Sequence, residues 1–135
     1  MSQTLLGFDY GQKRTGVAVG QTLTGTARAL TTLNSRNGKP DWPGIEALLE
    51  EWQPDALVVG VPVHMDGTEQ PMTEAARKFA RQLQGRFNLP VHEAEERLSS
   101  DAAEAELGHA HDKAAIDREA ARIILEDWLG NGANR

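Results

Sequence analysis

The chain has 135 residues, enough for one domain with a buried core, and we expect residues 1–135 to form a single domain. Its hydrophobic and charged fractions, 39% and 25%, exclude a disordered tail and a coiled coil, while the lack of cysteine and of any long apolar run excludes disulfides, thiolate metal sites and a membrane span. The net charge of −6 argues against an indiscriminate nucleic-acid binder, and the first residues lack a signal-peptide pattern, so we expect a cytoplasmic protein.

The first forty residues predict three antiparallel strands. Apolar and small residues at 4–8, 16–20 and 26–33 are separated by short segments of glycine and polar residues. This spacing is typical of three strands that follow one another as a meander. A loop over residues 34–40 ends this unit.

Alternating helices and strands follow the loop. Asp41 can cap a helix whose apolar positions recur with helical spacing up to Trp52. Residues 56–61 form a continuous apolar run, which is typical of a strand buried on both faces. Pro71 opens a second helix, and residues 89–94 predict a fifth strand.

The last third of the chain has a helical pattern. Residues 98–107 and 114–129 predict two helices, with a gap around residues 108–112. The resulting order is β-β-β-α-β-α-β-α-α. This order predicts an α/β fold with one five-stranded mixed sheet and helices packed on it.

Three acids from separate elements are candidates for a functional site, and each also has a structural interpretation. Asp9 ends the first strand and is either a turn former or a group at a sheet edge. Glu96, beside Glu95, either belongs to an acidic loop before the next helix or lies at the carboxyl end of a strand, where open α/β sheets place their sites. Asp117 either caps a helix or lies on its apolar, inward face.

These three acids suggest a metal site if they meet at one edge of the sheet. Clustered carboxylates repel one another, which raises their pKa values unless cations neutralise them. Mg²⁺ and Mn²⁺ prefer oxygen ligands, and two such ions can activate water and stabilise the leaving oxygen in phosphodiester cleavage. The residues alone do not establish that the acids converge.

Basic residues are concentrated at the start of the chain. Residues 1–40 carry five basic groups and one acid, whereas residues 41–90 and 91–135 have net charges of −4 and −6. We therefore expect any contact with a polyanion such as nucleic acid to be local and to lie around the N-terminal segment.

Four segments spread over nearly the whole chain form an ordered series. They are residues 8–18 (FDYGQKRTGVA), 60–68 (GVPVHMDGT), 96–99 (ERLS) and 116–121 (IDREAA). In this order the chain resembles the YqgF-type family of RNase H-like proteins, whose members are described as pre-16S rRNA nucleases and as Holliday junction resolvases. Each segment alone is a weak signal, but the four together are specific.

The resemblance implies an RNase H-like fold, and it places Asp9, Glu96 and Asp117 on the family's catalytic carboxylates, which hold one or two Mg²⁺ or Mn²⁺ ions. It also makes nearby basic residues candidates for contacts with nucleic acid: Lys13, Arg14, Arg97 and Lys113. The segment over residues 108–115 is shorter and less basic than is usual in the family, with only Lys113 left, and this departure bears on the choice of substrate.

Three functions remain open at this point. The leading hypothesis is a metal-dependent endonuclease that matures the 5′ end of pre-16S rRNA, a structured RNA, with pre-ribosomal particles as partners. The second keeps this chemistry but cuts four-way DNA junctions, which requires a dimer; the sequence allows a monomer or a homodimer. The third is a non-catalytic factor that binds rRNA during assembly of the small ribosomal subunit.

Overall fold

The computed structural model describes residues 2–96 and 113–131. Five strands and three helices lie in these two ranges: β1 (Thr4–Asp9), β2 (Arg14–Gln21), β3 (Thr26–Asn34), α1 (Trp42–Trp52), β4 (Ala56–Pro62), α2 (Pro71–Phe87), β5 (Val91–Glu96) and α3 (Lys113–Asn131). The strands form one sheet with the order β3-β2-β1-β4-β5.

The sheet combines two kinds of pairing. β1, β2 and β3 are antiparallel, whereas β4 is parallel to β1 and β5 is parallel to β4. The carboxyl ends of β1, β4 and β5 therefore lie at the same edge of the sheet, together with the beginning of β2. This edge carries the candidate site.

Helices cover both faces of the sheet. α1 and α2 pack on one face, over a core that includes Leu6, Phe8 and Phe79. α3 packs on the other face, over a second cluster that includes Leu5 and Leu125. This three-layer arrangement explains the apolar run of β4, since its first six residues are buried between the two helical layers.

α3 approaches the sheet most closely at Gly16. A Cβ atom built on Gly16 would lie only 1.9 Å from the backbone oxygen of Asp117, so a larger residue cannot occupy this position without moving the helix. Gly16 is also the residue of β2 that pairs with Asp9 of β1. The contact therefore brings the backbone of Asp117 beside the end of β1.

The predicted fold is confirmed, and two details change the interpretation of the acids. β5 is shifted by two residues, to Val91–Glu96, because its pairing with β4 continues to Pro62 and Glu96. Glu96 therefore ends a strand and does not belong to a loop. Asp117 lies within α3 and is not its N-cap, because the helix already includes Lys113. The predicted helix over residues 98–107 lies outside the described residues.

The membrane prediction can be checked on the helices of the same two ranges. Among residues 2–96 and 113–131, no helix combines the length and the apolar character needed to cross a bilayer.

Candidate active site

Asp9 is placed by the alternation of β1. Leu5, Gly7 and Asp9 point to the face covered by α3, because successive side chains of a strand alternate between faces and Leu5 packs in the α3 cluster. The apolar residues before Asp9 fix the strand in the sheet, so the carboxylate is held at the strand end under the beginning of α3.

Glu96 occupies the corresponding position of β5. It pairs with Pro62 at the end of β4, and its backbone oxygen accepts a hydrogen bond from the N–H of Val63 at 3.0 Å. Ala94, two residues earlier, packs in the α3 cluster, so Glu96 points to the same face as Asp9. Gly60 of β4 has no side chain, and the side chain of Ile124 from α3 packs closely over it.

Asp117 completes the arrangement from above the sheet. Its closeness to the sheet follows from the close packing of α3 on Gly16. On the alternative that places Asp117 on the inward face of the helix, it shares that face with Ile124 and Leu125, and both of these residues are fully buried. Three elements therefore each contribute one acid to the same edge of the sheet.

The three acids line one cleft, which has a volume of about 420 Å³. Its walls are formed by Asp9, Tyr10, Gly11, Gln12, Lys13, Arg14, Gly60, Pro62, Gln70, Met72, Glu96, Asp117 and Ile124. The cleft thus combines three acids, two basic residues and a partly apolar floor.

Two acids of the cleft, Asp9 and Glu96, are difficult to ionise. The pKa of Asp9 rises to about 7, mainly because of burial and also because of repulsion from Asp117. The pKa of Glu96 likewise rises to about 7, first through burial and then through repulsion from Asp127 and Asp9. Negative charge is therefore under-compensated here, and a bound cation would relieve the repulsion.

Arg14 already compensates part of this charge. Its Nε–H donates a hydrogen bond to Oδ2 of Asp117 over 2.7 Å. Both side chains are partly exposed to the cleft, with 30% and 24% of their surface accessible. Arg14, a candidate for nucleic-acid contact from the family resemblance, is thus also the ion-pair partner of Asp117.

The oxygen-only donor set of Asp9, Glu96 and Asp117 fits Mg²⁺ or Mn²⁺. The raised pKa values of Asp9 and Glu96 also fit a site that gains from a cation. In the arrangement described, however, no three acidic or histidine side chains among residues 2–96 and 113–131 are close enough together to hold one ion. Completing such a site requires side-chain movement.

The rim of the cleft includes residues that the sequence analysis did not single out. Tyr10 stacks on Phe79 of α2, with ring centroids 4.8 Å apart. Gln70 fixes the loop between β4 and α2, since its side-chain amide donates to the backbone oxygen of Val63. The hydroxyl of Thr73 donates to the backbone oxygen of Pro62 and accepts a hydrogen bond from the N–H of Gln70. Tyr10 falls in the segment over residues 8–18, whereas Gln70 and Thr73 lie just beyond the segment over residues 60–68 and had no sequence signal of their own.

The basic residues have different positions. Lys13 and Arg14 belong to the wall of the cleft, and Lys13 is exposed. Lys113 is exposed at the beginning of α3. Arg97 and residues 108–112 of the less basic segment lie outside the described residues.

The fold and the acidic edge define an RNase H-like protein. Comparison with known sequences gives the family: the chain belongs to the family described as RuvX, Holliday junction resolvase, whose pattern matches residues 3–131. The resemblance to this family that the four segments indicate is therefore confirmed.

Related sequences agree over nearly their full length. The chain is 53% identical over 133 residues to a protein of Pectobacterium atrosepticum named "Putative pre-16S rRNA nuclease", covering 95% of this chain and 96% of the relative. It is 50% identical over 137 residues to a protein of Yersinia enterocolitica with the same name, covering 98% of each.

Solved structures support the fold. The RuvC protein of T. thermophilus in complex with a Holliday junction substrate superposes with a TM-score of 0.56 at 14% identity, covering 96% of both chains. A fowlpox virus resolvase bound to Holliday junction DNA gives a TM-score of 0.56 at 12% identity, covering 94% of this chain and 97% of the other. At this identity the likeness concerns the fold.

Proposed function

We propose that this protein is a divalent-metal-dependent endonuclease that cleaves phosphodiester bonds in structured RNA and processes the 5′ end of pre-16S rRNA. The observation that carries the proposal is the cleft in which Asp9, Glu96 and Asp117 come from three elements to one edge of the sheet. The names of the relatives from Pectobacterium and Yersinia support the choice of RNA.

The three acids have the role of metal ligands in this proposal. Asp9, Glu96 and Asp117 would hold one or two Mg²⁺ or Mn²⁺ ions. A divalent cation in such a site supplies charge neutralisation at the phosphate and lowers the pKa of water. Burial raises the pKa of Asp9, so its carboxyl holds a proton near neutral pH and would lose that proton when a cation binds.

The basic wall of the cleft has the role of binding the backbone of the nucleic acid. Lys13 and Arg14 lie where the chain passes from β1 to β2 and line the cleft together with the acids, with Arg14 in direct contact with Asp117. A guanidinium and an ammonium at this place compensate the phosphate charge, which the acids would otherwise repel. The rim formed by Tyr10, Gln70 and Met72 then limits how closely the sugars and bases approach.

The test is cleavage of a labelled pre-16S rRNA 5′ leader in Mn²⁺, Mg²⁺ or chelator. Glu96→Gln should lower the rate about a hundredfold or more, whereas Glu46→Gln, which removes an exposed acid on α1 far along the chain from the site, should leave it unchanged. Asp9→Asn should behave like Glu96→Gln. Equal rates for Glu96→Gln and Glu46→Gln in clean preparations would contradict the proposal.

A four-way DNA junction belongs in the same experiment, because the family is described as Holliday junction resolvases. Cuts confined to the junction would make the protein a resolvase with the same site. Binding of RNA without cleavage in any metal, either of the free leader or of pre-ribosomal particles, would favour a non-catalytic role in ribosome assembly.

A further inference from the structure

The ion pair between Arg14 and Asp117 connects β2 to α3 within the cleft. Arg14 begins β2, and Asp117 lies 103 residues later in α3. The contact uses the Nε–H of the guanidinium and Oδ2 of the carboxylate over 2.7 Å. Since both side chains line the cleft, a ligand in the cleft can reach either partner.

This pair occupies one of the two oxygens of a carboxylate that the proposed metal site needs. A carboxylate that accepts a short, charge-assisted hydrogen bond from a guanidinium is a poorer ligand, because the guanidinium already compensates its charge and fixes its orientation. The same pairing is consistent with the finding that no three acidic or histidine side chains among the described residues are grouped around one position. The acids of the cleft are therefore near one another but not assembled.

Arg14 has a second natural partner in a nucleic-acid complex. A guanidinium binds phosphate oxygens with paired, parallel hydrogen bonds, whereas the single Nε–H contact with Asp117 uses only one of its five donors. The pair is partly exposed, so its net contribution to stability is small and exchange is inexpensive.

We propose that Arg14 exchanges between Asp117 in the free protein and a backbone phosphate of the nucleic acid in the complex, and that this exchange frees Asp117 to bind the divalent cation. The proposal rests on the nuclease function proposed above. Arg14 and the cation compete for one carboxylate, so binding of nucleic acid raises the affinity for the cation. By linkage, the cation raises the affinity for nucleic acid by the same factor.

The device has a functional consequence. Without substrate, the cleft binds the cation weakly and is not assembled for cleavage. With substrate, the phosphate that withdraws Arg14 is also the group on which the assembled site acts. Assembly is thereby tied to the presence of a nucleic-acid backbone in the cleft.

The first experiment measures Mn²⁺ binding to the full-length protein without nucleic acid, using the electron paramagnetic resonance signal of free Mn²⁺. Arg14→Gln should bind Mn²⁺ about tenfold more tightly than the wild type, since the competitor is gone. Lys13→Gln is the control, because it removes one positive charge from the residue directly before Arg14. Lys13 makes no ion pair among the described residues, so this variant should change the Mn²⁺ affinity less than twofold. Loss of a merely structural contact would not tighten binding. Equal affinities for the two variants overturn the proposal.

The second arm adds a short single-stranded RNA, shown to be intact after the measurement. The RNA should raise the Mn²⁺ affinity of the wild type and of Lys78→Gln, which removes an exposed lysine of α2 outside the cleft, but raise that of Arg14→Gln much less, because no exchange remains to be driven. A similar gain in all three proteins overturns the proposal, since the phosphates would then act only as additional charge.

A third measurement needs no variant. In nitrogen-15 NMR spectra, the Arg14 Nε–H signal should move towards the position of an unpaired guanidinium when Mg²⁺ saturates the protein. A signal that stays fixed while the amide of Asp117 responds to Mg²⁺ overturns the exchange but leaves the nuclease function intact. Absence of Mn²⁺ binding to the wild type in the first experiment, with and without RNA, overturns both the exchange and the nuclease function.

Discussion

At the scale of single residues, the site is defined by acids in an environment that resists their charge. Asp9 and Glu96 each have a pKa of about 7, chiefly because the fold buries them at the sheet edge. Near pH 7 and without a cation, each carboxyl is therefore protonated about half of the time. A cation bound at this place would compensate the unfavourable negative charge of the two carboxylates.

The acids should make the metal-free protein less stable at higher pH. Asp9 binds its proton more tightly in the folded chain than in the unfolded one, so its contribution to stability is fully present below about pH 4 and is lost as the pH rises through about 7. Asp9→Asn should remove this loss and be more stable than the wild type at pH 8 in chelator. One pKa unit corresponds to about 1.4 kcal/mol, so the difference should reach at most about 4 kcal/mol.

Urea unfolding at pH 5 and pH 8 measures this difference. Glu46→Gln, on the exposed side of α1, is the control and should follow the wild type at both pH values. The compared quantity is the difference in free energy of unfolding between the wild type and Asp9→Asn. If this difference were the same at pH 8 as at pH 5, burial would not disfavour the charge of Asp9.

At the scale of elements, the site depends on how closely α3 lies on the sheet. Gly16 removes the side chain that would separate the helix from β2, and Gly60 leaves room for Ile124 beside the cleft. Asp117 reaches the edge where Asp9 and Glu96 end their strands because the helix is this close. Packing and site geometry are therefore determined by the same contacts.

Gly16→Ala should disturb both the packing of α3 on the sheet and the geometry of the site. The new Cβ would meet the backbone oxygen of Asp117 at 1.9 Å, and neither main chain can move without repacking α3. We expect a loss of about 1–3 kcal/mol or more in the free energy of unfolding. Gly85→Ala is the matched control, because a Cβ at this exposed position of α2 meets nothing within 4 Å and alanine favours helix by up to about 1 kcal/mol.

Urea unfolding of the two alanine variants provides the comparison. Gly16→Ala should be destabilised and Gly85→Ala should be at least as stable as the wild type. Equal stability of both variants would mean that α3 is free to move away from β2.

The elements themselves were largely predictable from the sequence, whereas their relations were not. The apolar run of β4 and the helical spacing in α3 are local signals, and both elements were predicted to within two residues at each end. The end of β5 was wrong by two residues, because its glutamates are poor strand formers and tertiary pairing with β4 decides their conformation.

The internal chemistry of the site could not be predicted in this way. Arg14 and Asp117 are 103 residues apart, and no local pattern indicates that they form an ion pair. The raised pKa values of Asp9 and Glu96 likewise depend on burial that arises only when α3 covers the sheet. The family resemblance identified the acids, but the state in which the free protein holds them is a property of the folded structure.

At the scale of the whole molecule, the charges are arranged for a local contact with a polyanion. The chain has a net charge of −6, but residues 1–40 carry a net charge of +4 and include Lys13 and Arg14 of the cleft wall. The rest of the surface should repel nucleic acid. The protein should therefore contact few phosphates, and they should be those that enter the cleft.

The salt dependence of RNA binding tests this arrangement. In chelator, where cleavage is suppressed, the logarithm of the binding constant for the labelled leader should fall with the logarithm of salt concentration along a shallow slope. Each phosphate contact contributes about 0.7 to 0.9 to this slope, so Lys13→Gln should lower it by roughly 1. Lys78→Gln removes an exposed lysine of α2 that lies outside the cleft and should leave the slope unchanged. If both variants lowered the slope equally, the contact with RNA would be spread over the surface, and the positive charge of the N-terminal segment would not direct the backbone into the cleft.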